Sequence, residues 1–576
     1  MSDNYEFEKS SQPQEIDDYS PYVDKQYNGF INDLNGGIYT NTSLSLVQFD
    51  LGQIYNSQKF TDTNDMFCVI PIVMVAAFST ANNAALVAPT AAVGAVNLLS
   101  IKSNFMHLIH QADLQINGKT IESTQPFINV VKHFQMLSEM SVNDLATIGY
   151  TQGFGENIDN HRSVVFNNAA AATASCSGNG LTNNKVVAAN GSRVGSTITS
   201  VQNSTSINDA VTSKLARYVD LTNPTGNKLV TNIYTQGNLE AELKPTFRVS
   251  GNYMIWNDYA VIKLSNLFES LGNIGLVRKF DCTLRLWLNT GTVNATIINP
   301  NAATLGYALA NTDNTFTNSC PLMINYLNET AANGGIPATT AKITAGLYVA
   351  SSPNVTYGLV NFNNFTSSLR TCRIYYSQIQ VENQKALAYV EQNRNKKVVY
   401  RTALTNQFNN VNAGGSFNQL INSGVVHPVG ILIVPYISST VAAGFGDYQW
   451  KSPFDSCPAT SSPVSLINLQ VSVGGVNQLQ STLGYTYENF VEQINLAESL
   501  TSSDFGISCG LFNQAYWEMF RHYYVNIERA NISDKNMARN INISFQNNSQ
   551  VAIDVLTFII YSDTFVIDVE SGIVKK

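Results

Sequence analysis

Residues 127–145 and 487–505 of this chain carry one pattern twice. Phe127, Asn129, Val130, Val131, Phe134, Met136, Met140, Ser141, Asp144 and Leu145 recur as Tyr487, Asn489, Phe490, Val491, Ile494, Leu496, Leu500, Thr501, Asp504 and Phe505. A strand-like triplet precedes each run, Leu114-Gln115-Ile116 or Leu469-Gln470-Val471, and a glycine turn follows the triplet, Asn117-Gly118 or Gly474-Gly475. A chain of 576 residues is too long for one hydrophobic core. A pattern met once in each half therefore points to two similar domains in tandem.

The repeat can be followed downstream, where Arg278, Phe280, Cys282 and Leu284 match Arg539, Ile541, Ile543 and Phe545 in the same alternating register. Between helix and strand the first copy is far longer than the second. The excess falls on about 155–250 and includes the Ala/Ser/Asn/Gly/Thr-rich run Asn167–Ser206. A second loop-rich tract runs from Asn289 to Thr366, which places the domain boundary near 290–300, at Asn289-Thr290-Gly291 or just beyond. The expected division is an acidic, mobile N-terminal arm over 1–35, a first sandwich over 36–290 and a second over 291–576. The first carries the insertion at about 155–250 and the second a loop-rich insertion at about 291–366.

Strand-like segments dominate: Leu44–Leu51, Phe67–Val75, Leu98–Ile109, Tyr253–Leu264, Phe280–Leu288, Cys372–Val381, Val398–Leu404, Val425–Ile437 and Ile553–Tyr561. In one of them Phe280, Cys282, Leu284, Leu286 and Leu288 share a face opposite Asp281, Thr283 and Arg285, the period of a half-buried antiparallel strand. Asp113–Glu122 reads as a hairpin turned by Asn117-Gly118. Helices are few. Pro126 opens one that runs to about Met140, with Phe127, Val130, Val131, Phe134 and Leu137 as its apolar stripe. Ser141-x-x-Asp144 caps a further short turn, repeated by Thr501-x-x-Asp504, and Gln384–Gln392 is a weaker candidate. Many strands with rare helices in their connections predict an all-β protein built of sandwiches.

Charged residues are only 13% of the chain, while Asn alone supplies 67 positions. Such a surface is polar without strong repulsion, which suits close packing of neighbouring copies. AT-rich coding would inflate Asn equally, and the composition does not separate the two. The net charge of −8 and the absence of any long basic run disfavour direct nucleic-acid binding. The densest cationic group, Arg394, Lys396 and Lys397, reads as a solvated face. The arm is acidic as well (Glu6, Glu8, Glu15, Asp17, Asp18, with Pro13 and Pro21).

Seven scattered cysteines with no C-x-x-C pair fit a chain kept reduced inside a cell, and the N-terminus has no signal-peptide core. Asn-x-Ser/Thr triplets, as at Asn41, Asn294 and Asn364, are expected by chance at this Asn content. The uncharged stretch Met66–Ser100 is broken by Pro71, Asn82-Asn83 and Pro89, so it predicts a buried strand and an Ala-rich loop in place of a membrane span.

No catalytic motif is present: no Gly-x-Ser-x-Gly elbow, phosphate loop or His-Glu-x-x-His helix. Gly153-Phe154-Gly155 reads as a turn. His107 and His110 are three apart in a strand-like segment and so face opposite ways, poor geometry for a metal. Asp313 and Asn314 lie in a polar loop without calcium-loop spacing. The many aromatic residues, as in Tyr375-Tyr376, Tyr485-Thr486-Tyr487 and Tyr523-Tyr524, have neutral neighbours and are expected in cores and interfaces.

Tandem sandwiches, a hairpin and short helix in each, long insertions and a neutral Asn-rich surface together resemble the double-jelly-roll major capsid proteins of double-stranded DNA viruses. The segment from Leu114-Gln115-Ile116-Asn117-Gly118-Lys119 through Ser138-Glu139-Met140-Ser141 looks most like the virophage and Polinton-like branch of this adenovirus-like lineage. The resemblance implies two eight-stranded jelly rolls standing upright in an icosahedral shell, with the insertions as outward towers. It implies homotrimers that form pseudo-hexagonal capsomers, contacts with neighbouring capsomers, and penton and minor capsid proteins as partners. It implies no catalytic residues, cofactor, metal or sequence-specific nucleic-acid binding, and a place in the virion after assembly inside the host cell, without secretion. It leaves an internal membrane open, which the sequence does not show. Two other readings fit a β-rich chain: an adhesin or receptor-binding fibre, which should carry a signal peptide or stalk repeat, and a carbohydrate-active enzyme, which needs an acidic pair in a groove.

Overall fold

A computed structural model of the chain describes residues 23–39, 44–55, 59–80, 86–87, 97–101, 104–147, 219–220, 246–250, 253–298, 308–311, 321–326, 341–349, 356–357, 360–361, 371–421, 424–438, 465–479, 484–496, 510–512, 517, 521–528, 540–549 and 552–576. In the first half the strands that form the sandwich are β1 (Val23–Asn32), β2 (Ser45–Asp50), β3 (Phe60–Thr80), β4 (Ile109–Ile116), β5 (Lys119–Ser123), β6 (Tyr253–Lys263), β7 (Cys282–Leu288) and β8 (Arg373–Val381). The second half repeats the set as β9 (Lys396–Val411), β10 (Ser416–Ile421), β11 (Pro428–Ile437), β12 (Leu466–Val473), β13 (Val476–Asn477), β14 (Tyr523–Asn526), β15 (Ile541–Asn547) and β16 (Ile553–Ile567). Helices α1 (Ile128–Glu139), α2 (Glu269–Ile274), α3 (Asn383–Gln392) and α4 (Tyr487–Leu496) lie in the connections.

Strand order makes the duplication explicit. One sheet of the first half runs β1-β8-β3-β6 and the other β2-β7-β4-β5. The second half runs β9-β16-β11-β14 and β10-β15-β12-β13, the same order position by position. Every one of these pairings is antiparallel, and this order is the jelly-roll arrangement. In β7 and β15 alternate residues are buried along the whole strand, so each has one face on its core.

The equivalent hairpins follow from local chemistry. Asn117 and Gly118 have φ of 49° and 73°, and Gly474 and Gly475 have 59° and 85°. Two successive positive φ values give the tight turn whose twist matches antiparallel strands, and Gly or Asn tolerates them at least cost. The strand pairing corrects the repeat alignment. Ile116 directly precedes its turn and lies opposite Cys282, and Val473 directly precedes its turn and lies opposite Ile541, so the downstream match of Cys282 to Ile543 is displaced by the same two residues. The triplet equivalent to Leu114-Gln115-Ile116 is therefore Val471-Ser472-Val473. A slip of two keeps every side chain on its own face, so alternation alone could not detect it.

Three other expectations are corrected. The boundary near 290–300 is displaced, because β8 pairs with both β1 and β3 in the first sandwich. Residues 341–349 pair with the C-terminal half of β3, and 291–298 pair with 341–349. The tract 291–366 thus interrupts the first sandwich between β7 and β8, and the halves meet at α3. The arm expected over 1–35 contains β1, which is held along β8 from Val23 to Asn32; residues 1–22 lie outside the described ones. The expected strand Leu98–Ile109 is broken into a strand at 97–101, a short 3₁₀ turn over 105–108 and the start of β4. Asn104 causes the break, its side-chain oxygen accepting from the Met106 N–H at 2.9 Å.

The helices are also clearer in the structure. Helix α1 follows the β4–β5 hairpin as α4 follows β12–β13. Ser141 and Asp144 form a reciprocal cap on the helix Val142–Thr147: the Ser141 N–H and hydroxyl donate to the Asp144 carboxylate at 2.9 and 2.7 Å, and the Asp144 N–H donates back at 3.1 Å. Thr501 and Asp504 lie outside the described residues. Helix α1 is not amphipathic in place, since Ile128 through Ser138 are all buried, Lys132, His133 and Gln135 included.

Three long connections of the first sandwich, β3–β4, β5–β6 and β7–β8, share one small sheet. Residues 97–101 pair with 322–326 on one side and with 219–220 on the other. Among the described residues no helix is long and apolar enough to cross a membrane, and the Met66–Ser100 stretch begins as part of β3.

Candidate assembly interface

The contact between the two sandwiches brings aromatic rings and charged side chains together. Helix α1 carries Phe134 into an aromatic nest of the second half. Its ring centroid is 5.6 Å from Phe512, 5.6 Å from Tyr524 in a stacked pose and 5.8 Å from His522 edge-on. Phe490 of α4 closes the nest from behind, 5.3 Å from Phe512 and 4.9 Å from His522. The end of α1 is tied there too: the Leu511 N–H donates to the Leu137 carbonyl at 2.8 Å. Gly510, at φ +64°, lies so close to the Leu137 and Ser138 carbonyls that no side chain fits.

Polar groups line the rest of the contact. Arg401 of β9, only 14% exposed in its side chain, pairs with Glu269 of α2 at 2.9 Å and with Glu139 of α1 at 3.4 Å. The Arg401 N–H also donates to Glu269 at 3.2 Å. Thr405 donates its hydroxyl to the Pro126 carbonyl at 2.8 Å, and Asn273 donates to the Val399 carbonyl at 2.9 Å. The Tyr400 hydroxyl lies 2.7 Å from the Ile121 carbonyl and 2.8 Å from Asp563, so its single proton serves one of them at a time. Lys576 donates to the Ile121 carbonyl at 2.6 Å and to Tyr400 at 2.8 Å, and pairs with Asp563 at 2.9 Å.

Two charged residues are buried completely at this contact: Glu122 of β5, 1% exposed, and Lys132 of α1, 2% exposed. Ser270 donates to Glu122 Oε2 at 3.1 Å, while Oε1 has no donor among the described residues. Burial pushes the Glu122 carboxyl up to about 7, against the pull of Lys132 and Ser270. None of these groups stood out in the sequence. The one available signal was Lys132, a cation directly after Val130 and Val131 in the helical run.

The outer surface has its own feature. The turn after β1 exposes Leu34 (60%) and Ile38 (67%), and β2 exposes Leu46, with Leu44 just before it. This turn is well ordered: the Leu34 N–H donates to the Gln48 carbonyl at 2.8 Å. Asn35 bridges to β2 through its amide, donating to the Leu46 carbonyl at 2.9 Å and accepting from the Gln48 N–H at 3.1 Å. Alongside, Phe30 is exposed on β1 beneath the Arg373 guanidinium at 4.5 Å, and Lys59 stands 3.2 Å over the Tyr27 ring. These exposed apolar side chains lie on and beside a turn that joins two edge strands.

His107 is buried in the 3₁₀ turn, its ring 4.7 Å from that of His133, with its Nδ1 hydrogen-bonded to the Asn129 amide at 3.0 Å. His110 packs edge-on against Phe127 at 4.9 Å. The two do not share a strand, because the turn intervenes, and among the described residues no cluster of three or more metal-ligating side chains occurs. Asn489, the counterpart of Asn129, does different work: its side chain caps α4 through Thr486. Tyr485, Tyr523 and Tyr524 are buried in the second core, and Arg394 and Lys397 are exposed. Cys68, Cys282 and Cys372 are buried free thiols. Cys176, Cys320, Cys457, Cys509, Gly153-Phe154-Gly155, Asp313 and Asn314 lie outside the described residues.

No family model and no curated protein matches the sequence. Among solved structures the chain is similar to one in a cryo-EM structure of the Sputnik virophage, with 7% identity, a TM-score of 0.52 and coverage of 98% of this chain and 90% of that one. It is also similar to the Faustovirus major capsid protein, at 10% identity and a TM-score of 0.44 over 96% of this chain and 93% of that one. The virophage likeness spans both sandwiches, and with the duplicated strand order it shows the double-jelly-roll fold.

Proposed function

We propose that this chain is a major capsid protein, the repeating subunit of an icosahedral shell around a double-stranded DNA genome. The observation that carries the reading is the pair of consecutive jelly rolls with identical strand order, locked to each other by α1, α2 and β9. Three such chains place six similar sandwiches around one axis. That approximates six-fold symmetry and lets one protein tile the faces of an icosahedron by lateral contacts. The exposed turn with Leu34 and Ile38 offers apolar area for such contacts, and the low charge of the chain limits repulsion between copies. The insertions of the first sandwich form the towers, and penton and minor capsid proteins complete the shell. In this reading the protein resides in the virion after assembly in the host cell, and its work is assembly without catalysis.

The test is to express the chain alone, measure its mass in solution and image it by negative-stain microscopy. Trimers with a hexagonal outline are the expected result. A monodisperse monomer that forms no such particle at high concentration would overturn the proposal.

A further inference from the structure

The cluster around Glu122 carries more carboxylates than cations. On the first sandwich it holds Glu122 on β5, Lys132 and Glu139 on α1, and Glu269 and Ser270 on α2. The second sandwich contributes Tyr400 and Arg401 on β9, Tyr561 and Asp563 on β16, and Lys576 beyond it. Tyr524 of β14 also acts electrostatically on Arg401. Among the described residues, four side-chain carboxylates thus meet three side-chain cations. Arg401 is engaged by Glu269 and Glu139, and Lys576 by Asp563. Lys132 is the stronger cationic influence on Glu122, ahead of Lys576, and it also acts on Glu139.

The charge excess has to be settled where water is scarcest. Glu122 is the most buried of the four, and one of its oxygens has no donor among the described residues. An ionised carboxylate in that position loses hydration without full replacement, whereas a neutral carboxyl makes the cluster balanced. We propose that the contact between the sandwiches is a proton-dependent clasp, firm when the cluster holds one proton at Glu122 and weaker when that proton leaves. This stands apart from the shell reading, since it concerns the fold of one chain.

The sign follows from linkage. The Glu122 carboxyl is raised from 4.5 to about 7 in the folded chain, mainly by burial. The folded state therefore keeps a proton that the unfolded state releases. The added stability is complete below about 4.5 and is lost as pH rises through about 7, the folding equilibrium falling by up to roughly tenfold per pH unit between them.

Thermal unfolding of the full chain across this range tests the proposal. The wild type should lose melting temperature as pH rises, and Glu122→Gln, which is neutral at every pH, should flatten that slope. Ser270→Ala removes a donor that favours the charged form, so it should move the loss to higher pH. Infrared spectra of the wild type supply a readout that needs no variant. The carbonyl stretch of a protonated carboxyl should be present near pH 6 and vanish above about pH 8. A Glu122→Gln slope equal to the wild type's, or a wild type without that band near pH 6, would overturn the clasp.

Discussion

Phe134→Ala is the sharpest test of how the two sandwiches are joined. Phe134 is fully buried, and its ring contacts Phe512, Tyr524 and His522, all from the second half. Truncating a buried Phe costs about 3–5 kcal/mol through lost transfer energy and the cavity left behind. The aromatic partners add roughly 0.5–1.5 kcal/mol per pair beyond area, so a value near 4 kcal/mol is reasonable. By comparison, the Arg401–Glu269 pair is partly exposed, and screening limits it to about 1 kcal/mol. The rings, then, hold the junction and the ion pairs orient it. At about 2–4 °C per kcal/mol for units of this size, Phe134→Ala should lower the melting temperature by ~10 °C. Because the lost contacts run between halves, calorimetry should also show the transition splitting into two. Phe417→Ala is the control, since Phe417 packs on Phe545 and Phe408 inside the second sandwich. It should lower stability without splitting. A shift below about 2 °C for Phe134→Ala, or identical behaviour of the two variants, would refute the reasoning.

Two further outcomes can be checked with simple variants. Gly510→Ala has to place a methyl against the Leu137 carbonyl at positive φ, so it should cost at least about 2 kcal/mol in denaturant unfolding and break the Leu511–Leu137 hydrogen bond. The double variant Leu34→Ser/Ile38→Ser removes exposed apolar groups and should change monomer melting by less than about 0.5 kcal/mol. Yet it should weaken trimer formation in sedimentation measurements; unchanged assembly would remove that turn from the interface.

Period-two alternation made β7 and β15 legible before any coordinates, because an antiparallel strand with one wet face writes its geometry into adjacent residues. The hairpin turns were legible for the same local reason. What escaped was everything fixed by pairing across long separations. Nothing in residues 373–381 says that they lie between residues 23–32 and 60–69, so the loop-rich tract before them looked like the start of a new domain. The alternation that identifies a strand is also blind to a two-residue slip, hence the displaced Leu469-Gln470-Val471 match. The junction was hidden for a different reason. Lys132, His133 and Gln135 gave α1 a polar look, yet all three are buried, His133 against Asn104 and His107 of the first half, while Phe134 meets the second. Nothing adjacent in the sequence marks Glu122 as buried or Arg401 as mostly covered, because burial by a distant segment leaves no local trace.

The small sheet shared by residues 97–101, 219–220 and 322–326 has a consequence for how such a chain can vary. Loops on a jelly roll are ordinarily independent, each free to lengthen or shorten without reference to the others. Here three of them are backbone partners, with 97–101 in the middle. Replacing one would strand the hydrogen bonds of its neighbours, so the three are heritable only as a set. Change in these connections of the first half should therefore come as a transplanted block.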